Sequence, residues 1–192
     1  MEILGRFTRS ESGVETRSRA KELALSSAIA GAYGLGTIAI GPIGYGPVQA
    51  RLTDALIPMS YNRKIGKAAI YGTALGCVVA NAISPYGLVD ILVGTVANAA
   101  ASYSSYLCQR WSGVKGKIAA TVLPSIIIGV AIAGEFAVIY GVRLEFGFPS
   151  ITAGELISCV GLGIPILKAL ERLVGKNDRS EGQKHNTSTT RT

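Results

Sequence analysis

An arginine and an aspartate lie three residues apart in the segment Gly46–Leu56, at positions Arg51 and Asp54. Helical spacing would place both side chains on one face. Ionisable groups at membrane depth cost about 2.5–3.5 kcal/mol each on insertion scales, so membrane proteins retain them for a ligand, an ion or each other. Because the chain is otherwise built of long apolar runs, this segment is a candidate binding site, with mutual neutralisation of the two charges as the ordinary alternative.

The other apolar runs also carry polar residues, and counting from the predicted outer ends places all of them in the outer half of the membrane. Four carboxylates against one arginine leave an excess of three negative charges. Such an acidic pocket suits a substrate with a cation or several N–H donors. We predict acceptor carboxylates at Asp54, Asp90 and Glu155, amide contacts at Gln49 and Asn81, and Arg51 as the residue that orients Asp54; Glu135 either contacts the ligand or faces an outer water layer.

Several of these residues have structural alternatives. Asn81 could form hydrogen bonds between helices. Asp90 and Glu155 are each expected in the first turn of a helix, where the helix dipole favours a carboxylate. Tyr45 and Tyr86 could stack on a flat ring of the substrate, or they could belong to an interfacial aromatic belt.

The elements that must position these residues are membrane helices. The 192 residues are 48% hydrophobic and 16% charged, with a mean hydropathy of +0.37, which is unusual for a soluble domain. About 20 apolar residues span a hydrocarbon core of about 30 Å, and helices satisfy their own backbone groups in lipid. We therefore predict an all-α membrane protein with six crossings, at Glu22–Ile40, Val48–Tyr61, Gly66–Ser84, Tyr86–Leu107, Gly116–Gly141 and Ser150–Leu170.

The distribution of lysine and arginine sets the predicted topology. Nearly all of them flank the apolar runs, before the first, between the second and third, between the fourth and fifth, and after the sixth. By the positive-inside rule these connections are cytoplasmic, so the short second run must cross the membrane although it contains Pro58. We expect a multi-pass protein of the cell membrane with a cytoplasmic head at residues 1–20, a membrane domain at 21–172 and a disordered cytoplasmic tail at 173–192.

Two further patterns concern partners and chemistry. Small residues recur every fourth position in the first helix, which predicts either packing within the protein or a docking face for another membrane subunit. The chain has no P-loop motif, no histidine inside an apolar run and no metal-type cysteine spacing, so we expect neither an enzyme nor a cofactor or bound metal. Cys77, Cys108 and Cys159 are predicted to be buried reduced thiols, and the docking stripe would consist of Ala24, Ala28 and Ala32.

Three stretches resemble motifs of the QueT family. Gly46–Leu56 is similar to its Gly-Pro-Ile-Gln-Phe-Arg-Val-Ser-Glu-Ala-Leu motif, with departures that include Ala50 and Asp54. Gly76–Asp90 with Gly94 is similar to its Gly-x-x-x-Ala-Asn and Gly-Leu-x-Asp motifs. Gly154-Glu155-Leu156 resembles its Gly-Glu near the start of the last helix. The resemblance covers about residues 20–172 and keeps the order of the motifs.

The resemblance implies a substrate-binding S component of an energy-coupling factor (ECF) transporter, with six helices and an outward-facing site. It implies a queuosine precursor as substrate, a 7-deazaguanine base whose ring N–H groups could donate to carboxylates. An archaeosine precursor remains open. It also implies that the alanine-rich first helix docks on a coupling subunit driven by two ATPases. The replacement of the family's glutamate by Asp54 shortens one arm of the site and leaves the substrate open.

Two other functions remain as alternatives. The chain could be a self-sufficient transporter of a small cationic or purine-like solute, coupled to protons through Asp54 or Glu135. It could also be an assembly protein whose alanine stripe is its whole function. The first predicts uptake without partners, and the second predicts partner binding without a ligand. Nucleic acid is not an expected partner, because the basic residues follow the pattern of membrane topology.

Overall fold

The structure, a computed structural model, describes residues 2–41 and 51–173, with side chains from residue 18 onward. Every regular element in these ranges is a helix, which confirms the all-helical prediction for the described chain. The predicted disordered tail at 173–192 lies outside the described residues apart from Leu173, which ends a helix.

The first helix, α1, runs from Glu2 to Ile40. At 1.5 Å per residue its 39 residues extend about 58 Å, well beyond the thickness of a hydrocarbon core. Residues 2–20, predicted as a separate polar head, are continuous with the apolar part of this helix. The segment Ser18–Ile40 alone is long and apolar enough to cross a membrane.

The second predicted crossing is a 3₁₀ helix of ten residues, Leu52–Tyr61. Its i→i+3 pattern begins at once, because the backbone N–H of Asp54 donates to the carbonyl of Arg51 at 2.9 Å. A 3₁₀ helix rises about 2.0 Å per residue, so this short segment extends about 20 Å through the bundle. Pro58 lies within it and offers no backbone donor, which weakens any α-helical alternative.

Three α-helices follow in the chain: α2 at Gly66–Asn81, α3 at Leu88–Leu107 and α4 at Gly113–Tyr140, with a 3₁₀ turn at Cys108–Arg110 after α3. All three, together with α1 and the last helix, pack against the 3₁₀ segment. Gly141 ends α4 in the left-handed conformation at φ +65°, which a glycine adopts without a steric penalty. The 3₁₀ helix is held against α3 by Ser60, whose hydroxyl donates to the carbonyl of Ser102 at 2.7 Å.

The last helix begins earlier than the sequence predicted. We expected it to start at Ser150, where the apolar run begins, but α5 begins at Leu144 and continues through Pro149 to Leu156. A π-helical segment, Ile157–Leu162, follows, and helical structure continues to Leu173. Glu155 therefore lies about three turns inside the helix, so its placement in a first turn was wrong and an N-terminal capping role is excluded.

Three segments of the described chain are long and apolar enough to cross a membrane, namely Ser18–Ile40, Gly113–Tyr140 and Leu144–Leu173. The other three predicted crossings stay predictions. Large apolar side chains cover much of the outer surface, and Val138 is 87% exposed. Such a surface is typical of a protein that is surrounded by lipid. The buried apolar core contains Ile57, Ala101, Ile128, Ile132, Ala133, Phe136 and Ile151.

Polar contacts tie several basic connections together at one end of the bundle. The Tyr61 hydroxyl donates to the carbonyl of Trp111 at 2.7 Å, and Arg63 donates to the carbonyl of Gln109 at 3.2 Å. Lys117 and Glu171 form an ion pair at 2.7 Å. We refer to the end of the bundle where these contacts lie as the basic end. The loops after Asn81 and Tyr140 lie at the far ends of α2 and α4 from it.

Candidate functional site

A buried ion pair joins the start of the 3₁₀ helix to α3. Arg51 immediately precedes the 3₁₀ helix, and its Nη2 lies 3.3 Å from Oδ1 of Asp90 in the first turn of α3. Arg51 is 4% exposed and Asp90 is fully buried. Arg51 was predicted to orient Asp54, but the ion pair that the structure describes for it is with Asp90. A paired arginine can stay charged in an apolar bundle.

Asn81, the last residue of α2, completes this first group. Its Nδ2 donates to the backbone carbonyl of Asp90 at 2.7 Å and lies 3.7 Å from the sulfur of Cys77. Gly94 permits this arrangement, because a Cβ there would lie 2.4 Å from Asn81 Nδ2. The resemblance had singled out Gly94, and the structure gives it a steric reason.

A second group surrounds Asp54. Its carboxylate accepts hydrogen bonds from the hydroxyl of Tyr33 and from Asn98 Nδ2, the latter at 3.4 Å. Asn98 also donates to the Tyr33 hydroxyl at 2.7 Å. Three elements, α1, the 3₁₀ helix and α3, therefore meet at this carboxylate.

Glu155 brings α5 into the second group. Its carboxyl group lies within hydrogen-bonding reach of the Asp54 carboxyl group. A hydrogen bond between two carboxyl groups requires a proton on one of them. Cys159, one turn further along, donates its thiol to the backbone carbonyl of Asp54 at 3.3 Å. The predicted burial of the three free cysteines is confirmed.

Glu135 is the fifth ionisable residue of the cluster. It lies near the end of α4, is 5% exposed, and interacts electrostatically with Asp90 and Arg51. Neither of its carboxylate oxygens has a hydrogen-bond partner among the described residues. Burial excludes the alternative in which Glu135 faces an outer water layer.

The unpartnered atoms of the cluster are mostly acceptors. Buried polar atoms in proteins nearly always have hydrogen-bond partners, so a concentration of unpartnered ones in one place calls for an explanation. Acceptors left without donors suit a ligand that brings N–H groups. Within the described chain they are Asn81 Oδ1, Asp90 Oδ2, Asn98 Oδ1, both oxygens of Glu135 and Glu155 Oε2.

The structure describes one of the two tyrosines that were predicted to stack on the substrate. Tyr45, together with the predicted amide contact Gln49, lies outside the described residues. Tyr86 is half-buried, and its ring lies 5.1 Å from that of Phe136 and 5.4 Å from that of Tyr140. It therefore belongs to an aromatic group that packs beside the Glu135 turn of α4.

Sequence reasoning missed Asn98. A signal was present, because Asp90, Gly94, Asn98 and Ser102 follow one another at intervals of four residues and therefore share one helical face. All four are buried in the structure. Polar and small residues repeated on one face of an apolar helix indicate that this face points into the bundle.

The alanine stripe of α1 lies on the outside. Ala24, Ala28 and Ala32 are exposed, whereas the buried residues Ile29 and Tyr33 pack against glycines of α2. Packing within the described chain, the ordinary alternative, therefore does not account for the stripe.

Long apolar helices around a buried polar cluster define the class, a helical membrane protein with a polar interior. The QueT transporter family matches residues 23–172, and the chain belongs to this family. Membership confirms the resemblance seen in the motifs and makes the protein a membrane transporter with a small-molecule substrate. No curated protein and no solved structure matches the chain.

Proposed function

We propose that this transporter is the S component of an ECF-type uptake system, which captures a queuosine or archaeosine precursor, a 7-deazaguanine-like base, from outside the cell. The observation that carries the proposal is the buried cluster with its unpartnered acceptors. A deazaguanine ring presents several N–H donors along one edge, and such donors complement carboxylate and amide oxygens.

The proposed roles follow from the two groups of the cluster. Asp54 and Glu155 accept from the N–H groups along the edge of the ring, and Asp90 adds an acceptor at the other side. Asn81 supplies an amide oxygen and Arg51 orients Asp90. Gln49, Tyr45 and Tyr86 are further proposed contacts, the tyrosines by stacking on the base.

Delivery of the base is proposed to need partner subunits. The exposed residues Ala24, Ala28 and Ala32 form a smooth surface on which a coupling membrane subunit can approach closely. The chain carries no P-loop, so ATP hydrolysis is assigned to separate ATPases.

Binding to the purified full-length protein tests the proposal, with deazaguanines, purines and vitamins compared by thermal shift and calorimetry. Wild-type protein is expected to bind a 7-deazaguanine. Asp54→Asn and Glu155→Gln remove acceptor charge at nearly constant volume, and each should raise Kd by about 10- to 100-fold.

Glu145→Gln is the matched control, because Glu145 is an exposed carboxylate on the same helix as Glu155, paired with Arg143 at the surface. Its Kd should equal that of the wild type. Wild-type affinity in both Asp54→Asn and Glu155→Gln would exclude the proposed site, and a wild type that binds none of the deazaguanines would exclude the proposed substrate.

The contact between Asp54 and Glu155 favours one alternative, a proton-coupled transporter that works alone. A carboxyl pair that shares a proton can release it as a substrate binds. This alternative predicts uptake into liposomes that contain only this chain, and collapse of that uptake by an uncoupler. The S-component proposal predicts uptake only when the coupling subunit and ATPases are present.

A further inference from the structure

Glu135 differs from the other carboxylates of the cluster because the described residues provide neither of its oxygens with a hydrogen-bond partner. Asp90 is paired with Arg51. Asp54 accepts from Tyr33 and Asn98. The Glu135 side chain is only 5% exposed, yet both of its oxygens lack a hydrogen-bond partner among the described residues. A buried carboxyl group without a neighbouring cation or donor either takes up a proton or binds a ligand that supplies the positive charge.

The groups around Glu135 make the binding of a positively charged ligand more favourable. Its carboxyl group interacts with Asp90, a second carboxylate, and Asp90 Oδ2 also lacks a partner. Arg51 also interacts electrostatically with Glu135, but it forms its ion pair with Asp90. The sequence has no lysine or arginine at positions 42–50, the residues that precede Arg51.

Building on the proposed function, we infer that Glu135 is the counter-ion for a positively charged amine of the substrate, so that the protein selects an amine-bearing base over a neutral one. A primary ammonium group carries three N–H donors, enough to reach both Glu135 oxygens and Asp90 Oδ2. A metal ion fits less well, because the described residues contain no group of three or more metal-ligating side chains.

The position of Glu135 in the fold agrees with a role separate from that of Asp54 and Glu155. It lies on α4, whereas Asp54 and Glu155 lie on the 3₁₀ helix and α5. The ring edge and the amine of one ligand can therefore be bound by different helices. The half-buried ring of Tyr86 packs on Phe136, the residue after Glu135 in α4.

Two probes that differ only at one substituent test the inference: 7-aminomethyl-7-deazaguanine, a cation, and 7-cyano-7-deazaguanine, which is neutral. Calorimetry on the purified full-length wild type should show at least about tenfold tighter binding of the aminomethyl base. Glu135→Gln should remove this preference by weakening the aminomethyl base and leaving the affinity for the cyano base within about threefold.

Retained binding of the cyano base shows that the variant is folded. Glu135→Asp, which keeps the charge, should retain a preference for the amine, and Glu145→Gln should behave as the wild type. Equal binding of the two bases by the wild type, or an undiminished preference in Glu135→Gln, would overturn the inference while the proposed function stands. Failure of the wild type to bind either base would remove the proposed function, and the inference with it.

Discussion

Apart from Glu135, the ionisable residues of the buried cluster contact specific partners among the described residues, and these partners lie on other elements. Arg51 contacts Asp90, 39 positions away in the chain, and Asp54 contacts Tyr33 and Asn98. Such contacts are strong in a medium of low dielectric constant, and the same property makes every unpartnered oxygen costly. The oxygens that the described chain leaves without donors therefore define the chemistry that a ligand must bring.

Gly94→Ala tests how closely the site depends on one missing side chain. A Cβ at this position would lie 2.4 Å from Asn81 Nδ2, so the amide must move and lose its hydrogen bond to the Asp90 carbonyl. We expect Kd for the proposed deazaguanine ligand to rise by about tenfold, measured by calorimetry.

The control for this substitution is Gly31→Ala in α1, because a Cβ there meets nothing within 4 Å. Alanine is favoured over glycine in a helix by about 0.5–1 kcal/mol, so this variant should be slightly more stable and should bind normally. Normal binding by Gly94→Ala would show that the position of Asn81 is unimportant for the ligand.

At the scale of elements, the site is built where the helices depart from α geometry. The 3₁₀ helix carries Asp54, and the π-helical segment begins two residues after Glu155. Long 3₁₀ stretches and π-helical turns are uncommon and are often found at functional sites. In this protein they lie at and next to the two carboxyl groups, Asp54 and Glu155, that contact each other.

The exposed face of α1 yields a prediction that separates binding from transport. Ala28→Trp places a large side chain on the stripe without touching the polar cluster, which lies on the other side of the helix. Ligand affinity of the purified protein should be unchanged. Uptake in cells that also express the proposed coupling subunit and ATPases should fall by about tenfold or more, because a bulky side chain prevents close approach of helices.

Ala100→Trp serves as the comparison, since Ala100 is exposed on α3, away from the stripe. Its uptake should remain near that of the wild type. Equal uptake by Ala28→Trp and the wild type would rule out the alanine stripe as a docking face.

At the scale of the whole molecule, the polar cluster and the basic end lie apart along the bundle, and this separation predicts which surface faces which side of the membrane. Six crossings would place Lys64 and Ser112 in the cytoplasm and Val142 outside. Because the three native cysteines are buried, a single introduced cysteine reports its own accessibility.

We therefore expect Val142→Cys to react with a membrane-impermeant maleimide in intact cells. Lys64→Cys and Ser112→Cys should react only after the membrane is permeabilised. The wild type should remain unlabelled in both conditions. Labelling of Lys64→Cys and Val142→Cys from the same side would mean that the number of crossings between them differs from the prediction.

The membrane class, the helical fold and most helix positions followed from the sequence because they depend on local properties. Apolar length and flanking charge can be read directly along the chain. The start of α5 could not be predicted, since Pro149 is tolerated in a helix whose neighbours compensate for the lost hydrogen bond. The 3₁₀ form of Leu52–Tyr61 likewise depends on the bundle around it.

The sequence by itself determined that acids, amides and one arginine lie inside apolar helices, and the motifs pointed to the QueT family. Only the tertiary structure decided that Arg51 pairs with Asp90, that Asp54 meets Glu155 and Asn98, that Glu135 is buried without a partner, and that the alanine stripe faces outward. These contacts depend on the rotation and depth of each helix relative to its neighbours, which packing across the whole bundle sets and which local residue spacing does not encode.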